Sequence, residues 1–305
     1  VRQRHHIFPD TGAPQCSRSA PLTLPPLDVR SILRRYDLEP HKGLGQNFLV
    51  DHNALLKIAA AAEIQPADTV LEIGAGLGSL TRLLASQAHQ VVAVEIDRRL
   101  MPALTAVMKP FANVSVVQGD MLEINPADLI HESGYLVAAN IPYYITSAII
   151  RHLLASPVKP RRIVLTMQEE VAERICAEAG EMSLLSLSVQ VFGKPRITHL
   201  IPASAFYPAP KVDSATLRVD LYAEPVIPEV QLESFFRLAK HGFAQKRKTL
   251  RNSLSAGLHI SGDEAAALLT AAGIDPMRRA QTLDLAEWRT LVGEYLAKPV
   301  VKTGN

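Results

Sequence analysis

The sequence AANIPYY at residues 138–144 places an amide, a proline and two aromatic rings directly after an apolar run. The Asn140 side chain has a carbonyl acceptor and an NH2 donor, so it can complement the amino edge of adenine while a neighbouring ring stacks on the base. Pro142 fixes its own φ and biases Ile141 toward extended geometry, which makes the backbone rigid here. Alone, the segment also fits an ordinary turn at the end of a strand, so its meaning depends on a motif upstream.

That motif is LEIGAGLG at residues 71–78, which follows Thr69 and Val70 and precedes a helical pattern that begins near Ser79. This order predicts a strand, a tight glycine turn and a helix, whose open backbone and free N–H groups can admit a ligand. A dinucleotide fingerprint would need glycine at the position of Ser79, so the motif disfavours a nicotinamide cofactor.

Acidic residues follow two further strand patterns. Residues 91–94 lead into Glu95, about 20 residues after the glycine turn, where an acid can bind both ribose hydroxyls of a nucleoside cofactor. Residues 114–117 are followed by Asp120, whose carboxylate could accept a hydrogen bond from an adenine amino group. Considered apart from the neighbouring motifs, Asp120 could equally be an ordinary turn residue.

Apolar segments that alternate with helical patterns must position these residues. They predict a doubly wound, mostly parallel α/β sheet covered on both faces, and the last two strands, at 196–201 and 214–219, lack an intervening helix, so we expect one antiparallel edge strand. Ligands in such sheets bind beyond the carboxyl ends of strands, near the switch in strand order. The glycine turn, Glu95, Asp120 and Asn140 are all expected there. A nucleoside cofactor without a pyrophosphate, beside a loop that grips adenine, indicates S-adenosylmethionine.

The composition sets limits on these readings. The 305 residues are 48% hydrophobic and 20% charged, which allows a large domain and a small one. We predict a disordered N-terminal extension at 1–27, a Rossmann-like domain at 28–222 and a small helical domain at 223–305. Two distant cysteines and unpatterned histidines suggest a reducing compartment and no metal site, and no apolar run reaches bilayer length. We expect a cytoplasmic monomer without a membrane partner.

From about Asp28 to Leu296 the chain resembles the bacterial rRNA adenine N6,N6-dimethyltransferases of the small ribosomal subunit, the group that confers kasugamycin sensitivity. The resemblance rests on four motifs: GQNFL at 45–49, EIGAG at 72–76, NIPY at 140–143 and FYPAPKVDS at 206–214. It implies a class I methyltransferase fold with S-adenosylmethionine as cofactor. It also implies that 16S rRNA in the small subunit is the partner, methylated at two adjacent adenosines near its 3′ end.

The resemblance also assigns site residues. The residues expected to line the cofactor pocket are Asn47, Leu49, Gly74, Gly76, Glu95, Asp120 and Asn140. The residues expected to hold the target base are Asn140, Tyr143 and Phe206. On local evidence alone, residues 206–210 could instead be an aromatic and proline loop that caps the core.

A basic segment at residues 240–251 predicts the RNA-binding surface. Apolar residues at helical spacing can pack inward; they are Phe236, Phe243, Leu250 and Leu254. The cations expected to bind phosphates are Lys240, Lys246, Arg247, Lys248 and Arg251. Of these, Lys240, Arg247 and Arg251 would form one outer stripe. A solvated helix face is the alternative. The tail motif at 276–283 fits the family except that Gln281 stands where an acid is usual, which removes any salt bridge from that position.

Two other functions remain open from the residues. An enzyme that dimethylates adenine in large-subunit rRNA and gives macrolide resistance would share the glycine turn and the asparagine–aromatic loop. Residues 206–214, the basic helix expected at 245–254 and the tail motif favour the small-subunit group. A non-catalytic nucleic-acid-binding relative of the same fold is the third possibility, and an intact cofactor and base pocket argues against it.

Overall fold

A computed structural model of the chain describes residues 24–141 and 145–297. Within these ranges, strands and helices are interspersed up to residue 221, and helices follow. The strands are β1 Phe48–Leu49, β2 Thr69–Ile73, β3 Gln90–Glu95, β4 Val114–Gln118, β5 Leu136–Asn140, β6 Arg162–Gln168, β7 Gly193–Ile201, β8 Phe206–Tyr207 and β9 Ser214–Leu221. The helices are α1 Val29–Arg35, α2 His52–Ala62, α3 Ser79–Ala85, α4 Met101–Met108, α5 Pro126–Leu129, α6 Thr146–Ala155, α7 Glu169–Ile175, α8 Leu184–Gln190, α9 Leu232–Phe243, α10 Leu250–Leu258, α11 Gly262–Ala271 and α12 Leu285–Ala297.

The main sheet has seven strands in the order β4-β3-β2-β5-β6-β9-β7. The first five of these are parallel, and β2 pairs with both β3 and β5. Such a double pairing is the switch in strand order at which ligands bind in open α/β sheets. Apolar clusters pack on both faces of the sheet, so the predicted doubly wound, mostly parallel fold is confirmed.

The predicted position of the antiparallel strand is wrong. Strand β9 is antiparallel, but it lies inside the sheet between β6 and β7, and β7 forms the edge. Six of the eight residues of β9 are buried, whereas β7 contains Pro195 and the exposed Lys194 and Leu200. Proline and lysine are tolerated at an edge because no further strand must pair there.

Part of the predicted N-terminal extension packs on the domain. Leu24 contacts the core beneath the sheet, Leu27 contacts the cluster around α1, and Arg82 donates a hydrogen bond to the Pro25 carbonyl at 3.2 Å. The rest of that predicted extension, residues 1–23, lies outside the described residues.

The C-terminal helices enclose a core of their own around the fully buried Trp288 and Phe235. Leu187 and Val191 of α8 belong to the same cluster, so this core is continuous with the sheet domain. The predicted domain boundary near residue 222 stays a prediction. The basic helix expected at 245–254 is wrong in its first part, because α9 ends at Phe243 and Thr249 caps a new helix that begins at Leu250. All four apolar residues expected to pack inward do belong to this core.

An ion-pair network joins the end of α2 to the far strands of the sheet. Arg218 is 5% exposed and donates hydrogen bonds to Glu63 and Asp220, and Arg162 pairs with the same two carboxylates. The hydrogen bond from Arg218 is the main cause that lowers the pKa of Glu63. Burial raises the pKa of Asp220, but the hydrogen bonds from the two arginines outweigh it and the net shift is downward.

Replacing both carboxylates, with Glu63→Gln and Asp220→Asn, should lower the free energy of unfolding by about 1–3 kcal/mol. The buried Arg218 and the half-buried Arg162 lose their charged partners, but the carboxylates are 54% and 38% exposed, so solvent screens the pairs in part. Urea denaturation at pH 7 measures the change. Asp263→Asn is the matched control, since its side chain is 98% exposed in its pair with Arg251, and it should change stability by less than about 0.5 kcal/mol. The lowered pKa values mean that this stabilisation is complete above about pH 5 and is lost as the pH falls through the folded-state values. A gap between wild type and double variant that stays constant down to pH 3 would contradict the assignment.

Candidate active site

A pocket opens at the carboxyl ends of β2, β3 and β5, where the strand order switches. It brings together residues that are up to 162 positions apart, from Leu44 to Phe206. Seven residues singled out from the sequence line it: Asn47, Leu49, Gly74, Gly76, Glu95, Asn140 and Phe206. The structure therefore brings these seven residues together at one end of the parallel strands.

The glycine turn after β2 has a backbone that side chains rarely permit. Gly74, Gly76 and Gly78 have φ values of +77°, +59° and +86°. A Cβ on Gly74 would lie 3.4 Å from the Asn140 backbone oxygen, and one on Gly78 would lie 2.6 Å from Met108 Cε. The turn is held against the sheet by a 2.8 Å hydrogen bond from the Gly74 N–H to the Val94 carbonyl. Glycine here serves both the turn and the close approach of β2 to β5.

Glu95 is the acid that ends β3, and it is 4% exposed. Its carboxylate accepts hydrogen bonds from the Gly76 N–H at 2.7 Å and from the Asp97 N–H at 2.8 Å. Burial raises the pKa of Glu95, while the two N–H groups oppose the shift. Because a carboxylate has about four acceptor positions, this group can still accept hydrogen bonds from a ligand in the pocket.

Residues 41–49, here called the N-terminal strap, form one wall of the pocket. Phe48 and Leu49 pair with Tyr207 and Phe206 in a two-stranded antiparallel ladder. This pairing fixes Phe206, which is 4% exposed and packed against Leu49 in the core, with part of its surface facing the pocket. Sequence reasoning gave both segments a site role but did not predict that they pair with each other.

Gln46 and Asp97 close the strap over the turn after β3, and both were missed as site residues. Gln46 Nε2 donates to Asp97 Oδ2 at 2.8 Å, and Gln46 Oε1 accepts from the His41 N–H at 2.8 Å. Arg99 adds hydrogen bonds to both Asp97 oxygens, at 2.9 Å and 2.6 Å, which is the main reason that the pKa of Asp97 falls to about 2. The only sequence signal was an acid two residues after Glu95, which does not distinguish a latch from a surface residue.

Asn140 lies at the end of β5, half-buried, with its side chain beside the strap. Its Nδ2 donates to the Asn47 carbonyl across a long 3.5 Å contact. This assignment directs Oδ1 away from Asn47, so the oxygen can accept a hydrogen bond from a ligand. Tyr143, the predicted stacking partner, lies outside the described residues.

Glu72 lies within β2 and is a third residue, after Gln46 and Asp97, that sequence reasoning left without a role. It is 1% exposed and lines the pocket, and its Oε2 has no hydrogen-bond partner within residues 24–141 and 145–297. Burial raises its pKa to about 8; the Thr81 hydroxyl opposes this shift and the charge of Glu95 adds to it. Ile96 also lines the pocket and is 43% exposed, so part of its apolar surface is open to a ligand.

Asp120 follows the neighbouring strand but does not line the pocket. Its carboxylate accepts from the Leu122 N–H at 2.9 Å, as in a tight turn. The Gly119 N–H donates to the Glu95 carbonyl at 2.9 Å, which keeps this turn at the same sheet edge. The present contacts of Asp120 are therefore those of an ordinary turn residue, which was the alternative that the sequence left open.

The predicted RNA-binding cations lie on several elements rather than on one helical stripe. Lys240 is exposed on α9, and the loop at 244–249 carries three exposed cations, Lys246, Arg247 and Lys248. Arg251 differs, because it is half-buried and donates hydrogen bonds to the Gly262 carbonyl at 3.0 Å and to Asp263 at 3.2 Å. The outer stripe that was to include Arg251 is thus wrong.

The tail motif is held in place without an acid at position 281. Gln281 Nε2 donates to the Gly180 carbonyl at 3.2 Å, and the Gln281 carbonyl accepts from the N–H groups of Gly180 and Met182. An amide therefore connects the segment between α7 and α8 to the helical domain.

Two features are absent from residues 24–141 and 145–297. No group of three or more histidine, cysteine, aspartate or glutamate residues is arranged to hold a metal ion there. No helix in those ranges combines the length and the apolar character that crossing a membrane requires.

Comparisons with known proteins agree with this geometry. The chain is 43% identical over 272 residues to the Ribosomal RNA small subunit methyltransferase A of Dehalococcoides mccartyi (strain CBDB1), which covers 89% of this chain and 94% of the relative. The protein of the same name from Pelotomaculum thermopropionicum is 40% identical over 284 residues, covering 89% and 96%.

Two solved structures share the fold over most of the chain. The 23S rRNA methyltransferase ErmE has a TM-score of 0.66 and 29% identity, covering 81% of this chain and 99% of that one. A dimethyladenosine transferase from Plasmodium falciparum has a TM-score of 0.71 and 26% identity, covering 82% and 97%. Finally, a family model described as Ribosomal RNA adenine dimethylase matches residues 38–295. The resemblance seen in the motifs is confirmed, and the chain belongs to the ribosomal RNA adenine dimethylase family.

Proposed function

We propose that the chain transfers methyl groups from S-adenosylmethionine to the exocyclic amines of two adjacent adenosines near the 3′ end of 16S rRNA. The single observation that carries the proposal is the placement of Asn140 in one pocket with the glycine turn and Glu95. A group that can recognise adenine then lies beside groups that can hold a nucleoside cofactor. The relatives named as small-subunit methyltransferases support the choice of substrate.

The pocket fits the proposed cofactor chemically. A cationic ligand suits a buried acid with an uncommitted oxygen, which Glu72 provides. Glu95 would bind the ribose hydroxyls, the exposed face of Ile96 would lie against a flat base, and the open backbone at Gly74 and Gly76 would admit the ligand. The strap residues Asn47 and Leu49 would cover it. The cofactor supplies an activated methyl group bonded to a sulfonium, which is a good leaving group.

The remaining catalytic task is to orient the adenine. Its exocyclic amine is a poor nucleophile because the lone pair is delocalised into the ring. Asn140 Oδ1 can accept a hydrogen bond from that amine and favour a tetrahedral nitrogen, while Tyr143 and Phe206 would hold the faces of the base, each stacking contact contributing about 1–3 kcal/mol. No general base is required, because the nitrogen becomes acidic as it gains the methyl group and water can take the proton. The protein thus contributes alignment and electrostatics.

Two alternatives give different outcomes in one experiment. The identity to ErmE leaves a large-subunit substrate open as the second candidate, and a non-catalytic relative is the third. Labelled S-adenosylmethionine is supplied with undermethylated small subunits and, separately, with large subunits, and the modified nucleosides are identified after digestion. N6,N6-dimethyladenosine in 16S rRNA supports the proposal, label only in 23S rRNA supports the second candidate, and no label in either supports the third. We further propose that the enzyme acts as a monomer in the cytoplasm, where ribosomal subunits are assembled.

Asn140→Ala should lower kcat for methyl transfer by at least about 100-fold, because the amine loses the acceptor that orients it. The dissociation constant for the small subunit should change by less than about three-fold. Single-turnover kinetics with labelled cofactor, together with filter binding, separates the two effects. A variant that turns over normally but binds RNA poorly would refute the assigned role.

Replacing Lys246, Arg247 and Lys248 with alanine should weaken small-subunit binding and lower the slope of log K against log salt by about 2, since about 0.7 counterions are released per single-strand phosphate. A matched control removes three exposed cations on other surfaces, with Lys109→Ala, Lys194→Ala and Arg289→Ala. The control should keep the wild-type slope. An unchanged slope in the loop variant would show that these three residues do not contact phosphates.

The affinity for S-adenosylmethionine should rise with pH between 6 and 8 through Glu72. Its pKa of about 8 keeps the free pocket mostly protonated below that pH, whereas a cationic ligand favours the ionised form. Binding should therefore release one proton, with a gain of up to about ten-fold per pH unit. Calorimetry in buffers of different ionisation enthalpy counts the protons, and Glu72→Gln should abolish the part of the release that depends on this residue. Equal proton release by wild type and variant would show that Glu72 stays protonated.

A further inference from the structure

A second, larger groove lies where the helical domain meets the sheet domain. Its walls come from the ends of α6 and α7, the start of α8, one side of α9 and the segments that precede β5 and β6. Residues 159–161 precede the parallel strand β6, and Leu221 ends the antiparallel strand β9. This interdomain groove is therefore at the amino ends of the parallel strands, on the opposite edge of the sheet from Glu95 and Asn140.

The charge of the groove is strongly unbalanced. Five cations line it, namely Arg151, Lys159, Arg161, Arg174 and Lys240, against the single carboxylate of Glu229. Lys159 pairs with Glu229, and Arg161 pairs with Asp68 at 2.7 Å. The other three cations are exposed and have no ion pair or hydrogen bond within the part of the chain that the structure describes. The groove thus offers three uncommitted positive charges around one concave surface.

Apolar groups lie between these charges. Tyr222 is 44% exposed and Leu184 is 37% exposed, and both line the groove together with the half-buried ring of Phe236. An exposed aromatic ring beside cations suits single-stranded nucleic acid, because a base can stack on the ring while the phosphates meet the cations. Such a polymer uses both features of the groove, whereas an acidic peptide would use mainly the charges.

Helix α9 connects the groove to the basic loop. It presents Leu232, Phe236 and Lys240 to the groove at intervals of four residues, and it ends at Phe243, directly before the loop at 244–249. The cations of the groove therefore continue into Lys246, Arg247 and Lys248 around the end of one helix. A polyanion bound along these cations would run from the loop at 244–249 into the interdomain groove. It would then lie at the edge of the sheet opposite to Glu95 and Asn140.

We propose that the interdomain groove is a second RNA-binding surface, which holds the backbone of an unpaired RNA segment on the side of the enzyme opposite to its catalytic pocket. Charge complementarity selects this occupant, because three free cations line the groove and Tyr222 offers a stacking surface beside them. The proposal rests on the proposed function, since it assumes that the substrate is RNA.

The test variant combines Arg151→Ala, Arg174→Ala and Lys240→Ala. Its affinity for a labelled twelve-nucleotide oligouridylate should fall by about ten-fold near 0.1 M salt, and the slope of log K against log salt should decrease by about 2. Binding of undermethylated small subunits should weaken in the same direction. Fluorescence anisotropy over a salt series measures both quantities, and thermal melting checks that the fold is intact.

Two further variants make the outcome specific. Substitutions that keep each positive charge, Arg151→Lys, Arg174→Lys and Lys240→Arg, should leave the affinity for oligouridylate within about two-fold of the wild type. The control variant at Lys109, Lys194 and Arg289 should do the same. The proposal is overturned if the groove variant binds oligouridylate as tightly as the control variant does. Selective loss of binding to a labelled twelve-residue polyglutamate also overturns it, because that result would assign the groove to an acidic polypeptide. Methylation of small subunits by the wild type tests the proposed function separately: methylation with unaltered RNA affinity in the groove variant overturns only the groove.

Discussion

The double pairing of β2 with β3 and β5 is the constraint on which the site depends. The two ladders place Ile73 opposite both Val94 and Ala139, so the three strands end at one level of the sheet. The glycine turn, Glu95 and Asn140 are then neighbours although 66 residues separate Gly74 from Asn140 in sequence. The pairing holds because the three strands are almost entirely buried and their backbone groups have no other partners. Any change that shifted one ladder by a residue would move a site residue to the other face of the sheet.

The pocket built on this constraint is acidic and only partly neutralised. Asp97 has a cation of its own in Arg99, whereas Glu72 and Glu95 lie buried without a basic partner among the described residues. Burying such groups costs stability, and they persist where the site uses them. A positively charged cofactor would supply the missing charge, so the electrostatic cost and the binding of a sulfonium compound have the same origin. The opposite edge of the sheet has the reverse sign, with more cations than its carboxylates can pair. One molecule thus presents a cation-binding pocket and an anion-binding groove on opposite edges.

The sequence was sufficient for the parallel strands and for most of the pocket. Buried parallel strands appear as continuous apolar runs, and residues at their carboxyl ends must meet, which placed Glu95 and Asn140 correctly. The order of β7 and β9 could not be derived, because both patterns lack a following helix and pairing partners are set by packing. The break after Phe243 was hidden because Phe236, Phe243 and Leu250 keep a spacing of seven across it, which a continuous helix would also show. Glu72 and Asp97 were missed because sequence position reveals neither burial nor the absence of a partner.

The shared core between the two domains determines how the basic surface can act. Leu187 and Val191 of α8 pack into the same cluster as Phe235 and Trp288, so α9 is attached to the sheet domain by buried contacts as well as by the chain. Close-packed contacts of this kind transmit position with little slack. RNA bound along α9, as proposed, would therefore be held at a fixed distance from Asn140, and binding energy gained far from the reacting amine could be used to orient the base. In this arrangement the helical domain does not need to touch the target adenosine to influence the rate at which it is methylated.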